Sequence, residues 1–143
     1  MKNFRFRLEA ALRLREIQYE SERLKLHQLL ADEQRLTSSL ESLAVERREA
    51  SAFIQNLDNP ANRDFRALSS FLLGTATRAS TLREEIIKRK SLITEQRQRV
   101  RRAERNVRLL QKLREKQLRD WTIAVDKKIE RDAQDSWIAT HCQ

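Results

Sequence analysis

Apolar residues recur at heptad spacing on both sides of a single proline, and this pattern limits the chain to very few folds. Pro60 lies in Asp58-Asn59-Pro60-Ala61-Asn62. Before it, the a positions hold Leu12, Tyr19, Leu26, Leu40 and Ile54, and the d positions hold Leu8, Leu29, Leu36, Leu43, Ala50 and Leu57. After it, the a positions read Phe65, Leu72, Ala79, Ile86, Ile93, Val100 and Val107, with Leu68, Leu82, Ala103 and Leu110 at d. A sustained repeat of this kind is the signature of helices that pack along a seam. The expected fold is therefore all-α: a long antiparallel two-helix coiled-coil hairpin, one domain over residues 1–143. Helices are predicted at 4–57 and 64–138, joined by a turn at 58–63.

The two halves fit one antiparallel register. If partner numbers sum to 122, Leu57 meets Phe65, Leu43 meets Ala79, Leu36 meets Ile86, Leu29 meets Ile93 and Leu12 meets Leu110. Nine of fifteen layers are then apolar on both sides, which favours a hairpin over two unrelated helices. The same register sets Glu33 opposite Arg89. That pair reads either as a register pin of roughly 0–1 kcal/mol or as two side chains that reach separately to water. Pro60 stops the first helix, and Asn62 or Asp64 can cap the second. Gly74 costs the second helix about 1 kcal/mol relative to Ala and marks either a bend or a tolerated glycine.

Composition agrees with this class. One Gly, one Pro and 36% charged residues leave little strand or turn punctuation. Cys142, the single cysteine, can form no internal disulfide and fits a reducing compartment. The opening residues are basic without an apolar signal-peptide stretch, and no run approaches membrane-span length, so a cytoplasmic location is expected.

The arms are unequal. The helices should run about 80 Å and about 110 Å, leaving a C-terminal overhang with Leu118, Trp121, Val125, Ile129 and Trp137 along one broad side. Uncovered tryptophans on a helix point to a partner surface, or else to a helix that folds back locally. Phe53 and Phe71 both fall at g and should form a small aromatic patch behind the tip, as a partner contact or as extra packing.

The net charge of +9 is concentrated. Residues 83–119 contain fourteen Lys/Arg and five Glu, while the rest of the chain carries sixteen of each sign. Arg101, Arg102, Arg105, Arg108 and Lys112 mostly occupy b, c and f positions, facing away from the seam. The stripe is either a solvated face or a surface for an acidic partner. Nucleic-acid binding is not expected, because the basic stretch lies inside a hairpin arm rather than forking from a dimer zipper. No catalytic or metal-binding constellation emerges. Gly74 stands alone, His27 and His141 have no second ligand at metal spacing, and Glu84-Glu85 lie on an open helix. The chain reads as a non-enzyme with no cofactor and no small-molecule substrate.

Three stretches carry a resemblance. They are Phe4-Arg5-Phe6-Arg7-Leu8-Glu9 with Leu12-Arg13-Leu14-Arg15; Phe65…Leu68…Phe71-Leu72; and Leu110-Gln111-Lys112-Leu113-Arg114-Glu115-Lys116 with Trp121 and Asp126-Lys127-Lys128. In order and spacing they resemble the FliJ family, the small coiled-coil proteins of the bacterial flagellar type III export apparatus. The resemblance covers nearly the whole chain and implies a central stalk of the export ATPase, similar to the γ subunit of rotary ATPases. Such a protein promotes hexamer assembly and ATPase activity, and binds the cytoplasmic domain of the export gate and empty export chaperones. It is expected in the cytoplasm, peripherally associated with the inner face of the membrane at the flagellar base.

Carried over by position, Phe71 matches the gate-contacting aromatic, with Phe53 beside it. Phe4, Phe6, Leu8, Leu113, Leu118 and Trp121 fall in the paired helix ends that enter the ATPase ring. Gly74 and Thr75 depart from the family's usual larger side chains, which leaves the gate surface open. A stalk of a virulence-type secretion ATPase shares this shape, and a basic coiled-coil binder of nucleic acid is the reading from a different class.

Overall fold

In a computed structural model that describes residues 2–57 and 61–142, the chain consists of two long α-helices packed against each other. Helix α1 spans Glu9–Gln55 and α2 spans Asn62–His141. Among the described residues there is no strand. The predicted turn residues Asp58, Asn59 and Pro60 lie outside the described residues. Two compact units divide the chain, one made of residues 1–21 with 100–143 and the other of residues 22–99. In each unit contacts fall to lower numbers on one helix as they rise on the other, so the helices are antiparallel, as in the expected helical hairpin.

In the unit of residues 22–99, buried Leu43 and Ile93 sit at predicted d and a positions. Polar Thr75 and Gln96 are the other buried side chains, at 3% and 5% exposure, and both occupy d. The Thr75 hydroxyl is satisfied locally, donating to the Leu72 carbonyl at 2.9 Å. Gln96 reaches across the seam: Nε2 donates to the Glu22 carbonyl oxygen at 2.9 Å and to the Glu22 carboxylate. A buried amide with partners avoids the desolvation cost of an unmade bond.

The expected Glu33–Arg89 pair is corrected here. Arg89 approaches Asp32 Oδ2 at 3.9 Å, and Asp32 also holds Arg35 on its own helix. Asp32 occupies the seam-flanking g position and stays partly hydrated, so the arginine gains a counter-charge without full desolvation. Phe65, expected in the seam opposite Leu57, is 49% exposed.

In the unit of residues 1–21 and 100–143, Phe6, Leu12 and Val107 form a buried cluster, with Phe4, Tyr19, Leu110 and Leu113 packed around it. Leu12 and Val107 were expected inside, but the helix start was not foreseen. Residues 2–6 are not helical, and α1 begins at Glu9 rather than at residue 4. A helix continued backwards would place Phe6 at an outward b position. Leaving the helix lets its ring turn inward, and burying a phenylalanine is worth about 1.5–3 kcal/mol. The Glu9 amide closes on the Phe6 carbonyl at 3.2 Å.

Helix α2 begins two residues before the expected position. Its first turn is closed by Asp64, whose Oδ2 accepts from the Ala61 amide at 3.1 Å while the Asp64 amide donates to the Ala61 carbonyl at 2.9 Å. This is the reach-back half of a capping box, and it places an acid in the first turn. Gly74 does not break α2. A Cβ added there would meet nothing within 4 Å, so no close approach explains it. At the other end the Cys142 amide donates to the Ile138 carbonyl at 2.9 Å, and the Cys142 thiol is free and exposed.

Candidate partner-binding surfaces

The paired helix ends are the most fully built of the candidate surfaces. Phe6 is turned inward, and Phe4 lies beside Trp121 with ring centroids 6.0 Å apart and planes tilted by 54°. An edge-tilted pair at this distance adds about 0.5–1.5 kcal/mol beyond its area. Leu110 and Leu113 pack against the same cluster, and Arg114 Nε meets Glu9 Oε2 at 3.2 Å beside it. Of the residues expected at the ring-entering end, Phe4, Phe6, Leu113 and Trp121 are brought together, while Leu8 and Leu118 remain exposed.

Trp121 was expected to lie uncovered, and this is corrected: the non-helical N-terminal segment covers it through Phe4. Beyond Trp121, α2 continues to His141 as one helix, so it does not fold back. Ile123, Ile129, Trp137 and Ile138 are exposed there, and the Trp137 indole stacks on the His141 ring at 4.6 Å. His141 Nδ1 also lies 2.9 Å from the Trp137 carbonyl oxygen.

The basic residues form an open face on α2 in the same unit. Arg101, Arg102, Arg105, Arg108 and Lys112 are all exposed. A shallow groove of ≈ 400 Å³ runs among Arg101, Glu104, Arg105, Arg108, Leu109 and Lys112. Arg108 Nη2 is held by Glu104 Oε1 at 2.6 Å, one helical turn away, so part of this charge is already balanced. The others are free to meet an acidic surface over a Debye length of about 8 Å.

In the unit of residues 22–99, Phe53 and Phe71 are exposed at 67% and 38%. The two ring contacts among the described residues lie elsewhere, so the expected pairing into one patch is not made by ring contact. Leu73 is exposed as well, and Thr75 is turned into the seam. Substituting Thr75 for a larger residue therefore alters the packing layer rather than the outer surface.

Among the described residues no three His, Cys, Asp or Glu side chains gather to hold a metal ion. Glu84 and Glu85 are exposed on the helix surface, as is His27. No helix among the described residues is long and apolar enough to cross a membrane. Two features escaped sequence reasoning: the inward turn of Phe6 and the Gln96–Glu22 contact. A bulky aromatic at an outward register position was the available signal for the first. The second had only a polar residue at d, which also describes Thr75 and Arg89.

No protein-family model, curated protein or solved structure matches this chain.

Proposed function

We propose that the chain is a non-enzymatic component of a bacterial flagellar protein export apparatus, acting as the central stalk of its export ATPase. The observation that carries this reading is the aromatic closure of the paired helix ends. There Phe4 and Phe6 fold onto Leu110, Leu113 and Trp121 and close the paired ends with an apolar cluster. A part that turns or seats inside a ring has to keep its form under load. Such a part also needs little specific grip, which accords with open helix faces.

In this reading the ring takes up the paired ends, with Phe4, Phe6, Leu8, Leu113, Leu118 and Trp121. The basic face of Arg101, Arg102, Arg105, Arg108 and Lys112 steers the ends toward acidic loops of the ring, and Phe53 and Phe71 meet the cytoplasmic domain of the export gate. Export chaperones are the remaining partners, and the protein works at the inner face of the membrane. The deciding experiment titrates the protein into the export ATPase of the same organism and follows ATP hydrolysis together with hexamer formation. Saturable stimulation near one copy per hexamer is expected. No stimulation and no co-migration would overturn the stalk reading.

A further inference from the structure

The outward face of α1 carries a second apolar repeat that the hairpin seam does not use. In the unit of residues 22–99, the f positions of α1 are Leu24, Ala31, Ser38, Val45 and Ala52, all exposed and none charged. The f position points straight away from a two-helix seam and is ordinarily charged or polar. Helix α2 follows that rule in this unit, with Ser70, Thr77, Glu84, Ser91 and Gln98 at f. The α1 residues are not small fillers alone: Leu24 is 60% exposed and Val45 is 44% exposed. Four of the five positions are apolar and the fifth, Ser38, is small, and such a seven-residue repeat on a hydrated face is half of another helix–helix seam.

We infer that this face pairs with the same face of a second copy, α1 against α1 in antiparallel register about a two-fold axis. Three features of the sequence point to a copy rather than to an unrelated helix. The first is self-complementary size. With the axis between Gln34 and Arg35, Leu24 faces Val45 of the other copy and Ala31 faces Ser38, so large residues meet at the flanks and small ones let the backbones approach at the centre. The second is self-complementary polarity. Beside that seam, Glu41 faces His27 of the other copy and Gln34 faces its own equivalent. Arg35 nears its own copy at the axis, with Asp32, which it shares with Arg89, beside it on the same helix. The third is net charge. Residues 22–57 contain five Lys/Arg and six Asp/Glu, so two such segments meet almost without repulsion. Residues 83–119 carry the whole excess and lie on the other helix.

The test is sedimentation equilibrium of the full-length protein over a concentration series, with Val45→Glu and Leu24→Glu as variants. Both side chains are outside the hairpin seam, so helix content by circular dichroism should hold. A reversible dimer is expected, weakened about tenfold or more by either variant. A protein that stays monomeric, or a dimer that both variants leave intact, overturns the proposal. Orientation is read by cysteine cross-linking in a Cys142→Ser background. Ala31→Cys mixed with Ser38→Cys should cross-link while neither does so alone. Self-cross-linking of Ala31→Cys alone would mean a parallel pair and overturn the antiparallel register.

Discussion

Gln96 on α2 donates to the backbone carbonyl of Glu22 on α1 at 2.9 Å, across the seam between the two helices. The acceptor is a main-chain oxygen, so the bond depends on the register of the two helices and only secondarily on the identity of residue 22. Removing the bond with Gln96→Ala should cost about 0.5–1.5 kcal/mol plus the lost packing. Glu22→Gln should cost less, because the carbonyl remains. Urea denaturation of both variants checks this, and equal losses would show that the side-chain contact dominates.

Phe6 should be the most costly single truncation in its unit. It is 7% exposed and packs with Leu12 and Val107. Phe6→Ala is expected to lose about 3–5 kcal/mol locally. Amide hydrogen exchange should show the loss over residues 9–21 and 103–113 with little change around Leu43. Uniform loss of protection would contradict a local role.

The covering of Trp121 by Phe4 has an optical signature. In a Trp137→Phe background, Trp121 is the single indole and its emission reports the helix ends. Phe4→Ala should shift that emission to the red and raise quenching by iodide. Unchanged emission would mean that Phe4 does not shield the indole in solution.

Gly74→Ala should stabilise the protein by about 1 kcal/mol, the usual gain for an exposed helix interior. The new methyl group would meet nothing within 4 Å. Thermal unfolding gives the sign directly. A loss would reveal a neighbour at this position in solution.

Reversing Arg101, Arg105 and Arg108 to Glu should weaken stimulation of the export ATPase while leaving helicity nearly intact. Within the helix the change turns the Arg108–Glu104 attraction into a repulsion, a penalty of only about 0.4–1 kcal/mol. Undiminished stimulation by a helical variant would remove the basic face from the proposed mechanism.

The seam was legible because burial follows the heptad: Leu12, Leu43, Ile93 and Val107 are buried where the repeat put them. Of the two caps expected, Asn62 or Asp64, Asp64 closes the first turn, and it does so from inside a helix that starts two residues earlier than expected. The departures arise where a side chain's own demands outweigh the repeat. Arg89 has the reach to choose between neighbouring acids, and it goes to Asp32 beside the seam rather than to Glu33. Phe6 is large enough that hiding its ring outweighs one more turn of helix. Periodicity describes average faces, and neither preference is periodic. The surface expectations fared unevenly on the same grounds. Exposure of the basic residues follows from their positions, whereas the cover over Trp121 required knowing where the segment before α1 would fold.

The free thiol of Cys142 sits one residue past the last turn of α2, its amide still bonded to the Ile138 carbonyl. A maleimide dye or spin label placed there would need no engineered cysteine and would leave both helix seams untouched. Anchored by that amide, it would follow the heading of the α2 terminus rather than wander on a slack tail. Polarised emission from one labelled molecule bound to its partner would then distinguish a rotor from a passive plug.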